Sequence, residues 1–168
     1  MYPDAKVAHL VRRIAGTISC LALLLTASCS TRLVSPDGGA LDPGQAVTGE
    51  KVVAVAKTLV GAPYRYGGTT PSGFDCSGLV QYAYREAGFT LPRSTGEQLR
   101  YAQSVSVTHL RPGDLLFFRI SKRKVSHVAI YSGQGRFIHA PSSGRRVSYG
   151  ELDHPFWKKR LVSAGRLH

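Results

Sequence analysis

Apolar positions change their spacing roughly two-thirds of the way along the chain, and that change predicts the order of its elements. In "EKVVAVAKTLV", Val52, Val55, Ala56 and Leu59 fall on one helical face, with Gly61 placed to end the helix. Helical spacing returns after Cys76, turning Leu79, Val80, Ala83 and Ala87 inward until Gly88 stops it. A third, short helix is predicted in "LPRSTGEQLRYA", where Ser94 and Glu97 have capping-box spacing. Beyond the Pro112-Gly113 turn the pattern becomes that of strands. Leu115 to Phe118 reads as a buried strand, "VSHVAIYSG" and "GRFIHAPSS" as two more around a Gly-Gln-Gly turn, and "RRVSYGEL" and "WKKRLVSAGRL" close the sheet. Helices first and antiparallel strands second describe an α+β domain over residues 49–168.

What precedes the domain is of another kind. Arg12 and Arg13 lead into the apolar or small run "IAGTISCLALLLTAS", too short for a membrane span of about 20 residues but fitting a secretory leader. "LTASC" resembles a bacterial lipobox. The resemblance implies a signal peptide at 1–28, cleavage before Cys29, lipidation of the Cys29 thiol and acylation of the new N-terminus. Acyl chains anchor a protein at about 0.8 kcal/mol per buried CH₂. Ser30 in place of aspartate follows the usual sorting pattern for the outer membrane, facing the periplasm of a Gram-negative envelope. Residues 29–48, rich in Pro, Gly, Asp and Ser, read as a lipidated flexible tether.

Charge and cysteine count then narrow the chemistry. The formal charge is +12, and removing residues 1–28 takes three bases and one acid, leaving 19 against 9, or +10. Such a balance favours polyanionic surroundings. For an exported lipoprotein these are cell-wall polymer and anionic lipid rather than nucleic acid. Cys20 leaves with the leader and Cys29 is capped by lipid, so Cys76 has no partner for an intramolecular disulfide. A leftover thiol in an oxidising compartment reads as reactive.

Cys76 stands at the start of its helix, where free N–H groups and partial positive charge are expected to lower a thiol pKa. His127 and His139 flank the predicted hairpin. A three-residue loop at 132–134 sets the two imidazoles side by side on one sheet face, and a two-residue loop at 133–134 sends them to opposite faces. If the shared face packs against the start of the Cys76 helix, one histidine takes the thiol proton and the second orients the first. The backbone N–H of Cys76 or Ser77, with a loop donor such as the Tyr64 hydroxyl, would then meet an oxyanion.

"DCSGLV", "HVAIY" and "FIHA", with "PYRYGG" upstream and "RPGDLLFF" between, resemble the NlpC-type cell-wall peptidases, a papain-like family of bacterial peptidoglycan hydrolases. The lipoprotein-plus-domain layout is similar to the Spr/NlpC murein endopeptidase lipoproteins. The resemblance covers roughly residues 50–165. It implies a papain-like fold with Cys76 as nucleophile, His127 as general base, His139 as orienting residue and Tyr64 as oxyanion contributor. Asp75, Ser77, Arg93 and Ser94 match positions that line the family's substrate groove. Arg93 reads equally as a solvated charge or a substrate-carboxylate contact, and Ser94 also as a helix cap.

The implied substrate is peptidoglycan, cut at an amide bond of the stem or cross-link peptides, with no cofactor or metal and a monomeric domain. Two bonds stay open, D-alanine–diaminopimelate and D-glutamate–diaminopimelate. Other classes stand beside this one: a three-ligand zinc site from Cys76, His127 and His139, a wall-binding or degenerate adaptor, or a related amidase or acyltransferase. No short-spaced ligand pair supports zinc. His109, His154 and Trp157 carry no motif and read as structural or surface residues.

Overall fold

Two helices bury the apolar faces that the spacing selects. The computed structural model describes residues 49–121 and 124–167. The leader, Cys29, the tether and part of the basic "SKRKV" loop lie outside the described residues. Helix α1 (Gly49–Thr58) buries Val52, Val53 and Ala56, and Leu59 is buried just past its end. Val55, expected inward, is half-buried, and Val53 holds the core position instead. Helix α2 (Cys76–Glu86) buries Leu79, Val80, Ala83 and Tyr84. The Tyr84 hydroxyl donates to the Gly113 carbonyl at 2.6 Å, which satisfies the one polar group on that face. Gly61 and Gly88 follow the two helices with φ of 92° and 99°, the left-handed conformation that ends a helix. Helix α3 (Thr95–Tyr101) begins with both halves of the capping box, Glu97 N–H to Ser94 Oγ at 3.3 Å and Ser94 N–H to Glu97 Oε2 at 3.2 Å.

A small hairpin of β1 (Thr69–Thr70) and β2 (Gly73–Phe74) leads into α2. The main sheet contains β3 (Gln103–Val105), β4 (Leu115–Phe118), β5 (His127–Gly133), β6 (Arg136–His139), β7 (Ser148–Glu151) and β8 (Leu161–Arg166). Its order is β3-β8-β4-β5-β6-β7 and every pairing is antiparallel. Two elements depart from the sequence reading. Strand β3 adds an edge beside the last strand, and "WKKRLVSAGRL" is part helix. Its front belongs to α4 (Pro155–Lys158), with Pro155 in the first turn and His154 Nδ1 accepting the Phe156 N–H at 3.2 Å.

Alternation along the strands divides the core in two. Leu115, Phe117, Val128, Ile130 and Ile138 pack with α1 and α2. Leu116, Phe118, Ala129 and Phe137 form a second cluster on the opposite face, joined by Trp157 of α4.

Candidate active site

Asp75 positions the start of α2. Its Oδ1 accepts the Gly78 N–H at 2.7 Å as N-cap, and its Oδ2 accepts the Gly67 N–H at 3.0 Å. Gly78 must be glycine, because a Cβ there would collide with the Gly68 carbonyl oxygen. The Gly67–Gly68 loop therefore wraps closely around the helix start and brings Tyr64 beside it. Arg93 donates to both carboxylate oxygens, with Nη1 at 3.0 Å from Oδ1, and Nη1 also donates to Ser77 Oγ at 2.8 Å. Burial works to raise the Asp75 pKa, but the Arg93, Gly78 and Gly67 hydrogen bonds and the Arg93 charge together hold it below the usual carboxylate range.

These contacts give three of the expected groove residues a structural role. Asp75, Ser77 and Arg93 were expected to face substrate, Arg93 as an alternative to a solvated charge. They are engaged with each other: the Asp75 side chain is 13% exposed and Ser77 is buried, while the paired Arg93 side chain stays 38% exposed. Asp75→Ala should lower unfolding free energy by about 2–3 kcal/mol, the sum of a lost cap and a charge-assisted pair that is partly exposed. Asp75→Asn, which retains an acceptor for Gly78, should fall between Asp75→Ala and the wild type in denaturant titration. Equal stability of all three proteins would refute the cap.

The thiol of Cys76 is mostly buried against the core. Its sulfur lies 3.7 Å from Thr95 Oγ1, and the helix that carries it packs against β5. Burial pushes the Cys76 thiol up, the Asp75 charge adds to this, and the Thr95, Val128 and Ser77 hydrogen bonds oppose it without cancelling it. The expectation of a lowered thiol pKa at the helix start is thus overturned: desolvation outweighs the helix end.

His127 and His139 do meet, by a third register. Gln134 and Gly135, with φ of 55° and 71°, form the two-residue turn, and an irregularity between Tyr131 and Gly133 restores the parity. The pairs Ile130↔Ile138 and Tyr131↔Phe137 leave both histidines on one face, diagonal rather than directly opposed. His127 Nε2 and His139 Nδ1 are 2.9 Å apart and share one hydrogen bond. The expected packing of this face on α2 is corrected. The imidazoles lie with Phe118, Phe137 and Trp157 on the face away from the helices, while α2 reaches the end of β5.

Trp157 stacks on His127 at 5.7 Å and 27° and meets His139 edge-on at 4.8 Å. It was read from sequence as structural or surface, and its link to the imidazoles has no local signal, because it depends on where α4 crosses the sheet. Burial lowers the His127 pKa to about 4; burial, then the charges of His127 and Arg145, lower that of His139 to about 3. Both rings are neutral at neutral pH. Tyr64 is half-buried in the neighbouring loop, its N–H donating to the Arg145 carbonyl at 2.9 Å. Burial, followed by the charges of Cys76, Asp75 and Tyr66, raises its pKa, so its hydroxyl remains a donor. Ser94 is placed as the cap of α3. His109 and His154 serve local turns, His154 as the α4 cap. Among the described residues no three His, Cys, Asp or Glu side chains converge as a metal site.

A thiol at a helix start and a hydrogen-bonded imidazole pair on two neighbouring strands stand in one α+β domain. Residues 61–166 match the NlpC/P60 family, and the chain belongs to that family. It is 46% identical over 108 residues to the murein DD-endopeptidase MepS/murein LD-carboxypeptidase of Escherichia coli K12, a match covering 64% of this chain and 56% of that protein. It is 40% identical over 121 residues to the bifunctional muramidase/DL-endopeptidase CwlT of Bacillus subtilis 168, covering 70% and 36%. A crystal structure of an NlpC/P60 family protein from Bacillus cereus ATCC 10987 superposes with a TM-score of 0.68 at 37% identity, covering 71% of this chain and 40% of that one. The chain spans 36–56% of the length of the two curated relatives.

Proposed function

We propose that the chain is a cysteine-type peptidoglycan endopeptidase that cuts an amide bond in stem or cross-link peptides. The observation that carries this reading is the 2.9 Å His127–His139 hydrogen bond on the strand against which the Cys76 helix packs. With His127 Nε2 donating to His139 Nδ1, the remaining His127 nitrogen, Nδ1, carries a lone pair for the thiol proton.

Neutral His127 takes that proton as Cys76 Sγ bonds to the carbonyl carbon. The N–H groups of Cys76 and Ser77 and the Tyr64 hydroxyl meet the oxyanion. The C–N bond breaks as imidazolium returns the proton to the leaving amine, giving a thioester. His127 then deprotonates water, which attacks the thioester and releases a carboxylic acid and the free thiol. The names of the relatives support the substrate class and divide on the bond, one a DD- and the other a DL-endopeptidase.

Mass spectrometry of the muropeptides released from purified sacculi tests the reading. New ends at D-alanine–diaminopimelate or at D-glutamate–diaminopimelate are expected, and an unchanged muropeptide profile overturns it. Membrane attachment through a lipid on Cys29, at the outer membrane facing the periplasm, belongs to the same proposal. It is supported by the leader and the "LTASC" motif. Palmitate label should disappear in Cys29→Ala, and label retained in that variant refutes the anchor.

A further inference from the structure

We propose that the cavity beside the imidazole pair is a carboxylate subsite for the amine side of the scissile bond, with Arg145 as its anion-binding group. The inference rests on the endopeptidase reading and adds a recognition element to it. The cavity has a volume of about 470 Å³, and its walls include His127, His139, Arg145, Tyr149, Phe156 and Trp157. Cys76 is not among its lining residues, so the cavity opens on the imidazole side of the site. The imidazolium hands its proton to the leaving amine, so the amine-bearing half of the substrate must lie over that same ring. That half carries an acidic diamino acid whose own carboxylate is free.

Among the described lining residues Arg145 is the one charged side chain and none is an acid. Its neighbour provides a contrast. Arg146 Nη1 is bound to the Gly61 carbonyl at 2.8 Å, whereas among the described residues the Arg145 guanidinium forms no hydrogen bond or ion pair. The backbone of Arg145 is nevertheless fixed. Its N–H donates to the Ser142 carbonyl at 3.1 Å, and its carbonyl accepts the Tyr64 N–H at 2.9 Å. An exposed cation without a side-chain partner among the described residues is available to a ligand anion, and its pinned backbone fixes where the guanidinium can reach.

Two of the aromatic walls carry a cation on a ring face, Arg136 over Tyr149 at 4.1 Å and Arg160 over Phe156 at 3.9 Å. The rings themselves give the aliphatic stem of a diamino acid an apolar surface. The charge of Arg145 also reaches His139 and weakens its hold on a proton. A carboxylate seated on Arg145 offsets that charge and makes the imidazole pair more basic once substrate is in place.

Binding by the full chain carrying Cys76→Ala, measured by calorimetry, tests the subsite without turnover. The two probes are the cross-linked tetrapeptide dimer with free diaminopimelate carboxylates and the same dimer with those carboxylates amidated. The free dimer should bind about tenfold or more tightly than the amidated one, as expected for a charge-assisted guanidinium–carboxylate pair. Adding Arg145→Gln should abolish the difference, and Arg145→Lys should restore part of it. Equal or absent binding of both dimers, or a preference that persists in Arg145→Gln, overturns the subsite. Wild-type turnover distinguishes this from failure of the underlying reading. A protein that cleaves both dimers equally loses only the subsite, and one that cleaves neither loses the endopeptidase.

Discussion

Cys76→Ala should reduce wall-peptide hydrolysis to background, a loss of about 10⁴-fold or more, because no other group on the α2 start can form the acyl intermediate. The fold should survive. Alanine is a strong helix former, and among the described residues the thiol's one side-chain contact of hydrogen-bond type is the 3.7 Å approach to Thr95 Oγ1. Unfolding midpoints within a few degrees of wild type therefore accompany the lost activity. Cys76→Ala that digests sacculi at the wild-type rate would place the chemistry elsewhere. The resting state makes a second, sharper demand. Burial holds the thiol protonated and both imidazoles neutral, so no preformed ion pair stores a thiolate. Alkylation by iodoacetamide should therefore accelerate with pH through one inflection above the ordinary thiol value. A plateau of high reactivity from pH 5 to 8 would instead reveal a standing thiolate–imidazolium pair.

The residues show what the sequence could and could not disclose. Local chemistry was legible. The Ser94–Glu97 spacing became a capping box, the glycines at 61 and 88 adopted left-handed conformations, and Leu115–Phe118 became a strand. These features depend on neighbours a few residues away, which a sequence displays directly. The order of helices and strands followed, and with it the α+β class. The hairpin marks the boundary of that legibility. Parity could be argued from loop length, but an extra residue near Ser132 and a turn at Gln134–Gly135 decided the register, and both expected loops were wrong. The histidines reached one face because the irregularity and the shifted turn moved the pairing by an even number in total.

Long-range packing was not legible. Trp157 reaches His127 only because α4 crosses the sheet face away from the helices. Arg93 turns from solvent to Asp75 because the loop before α3 lies against the α2 start, where Gln98 Nε2 ties the Ser77 and Pro92 carbonyls together at 3.1 and 2.9 Å. The thiol pKa failed for a related reason. A helix end is visible in sequence, whereas the depth of burial that outweighs it is a property of the packed core.

His127→Gln should lower kcat/KM by about 10³-fold, the cost of removing the base that must take the thiol proton and return it to the amine. Combining it with Cys76→Ala should add almost nothing, since the two act as one unit. A His127→Gln enzyme within tenfold of wild type would remove the histidine from the reaction. The same ring ties stability to pH. In the folded state the His127 pKa is lowered by burial to about 4 and that of His139 to about 3, while an unfolded histidine titrates near 6.5. Between those values the unfolded chain binds protons that the folded chain excludes, so unfolding free energy rises with pH there. The stabilisation is fully present above about pH 6.5 and is lost as pH falls toward 4. Denaturant midpoints at pH 7, 5.5 and 4.5 should therefore decline in that order, and His127→Gln should flatten the decline because glutamine takes up no proton. Equal slopes in the two proteins would show that the acid sensitivity comes from carboxylates such as Asp75, whose lowered pKa produces a loss at lower pH. Activity should follow the folded His127 titration alone, since only the neutral ring can accept the thiol proton. The acid limb of kcat/KM is thus expected near pH 4, the folded His127 value, well away from the alkaline inflection of the buried thiol.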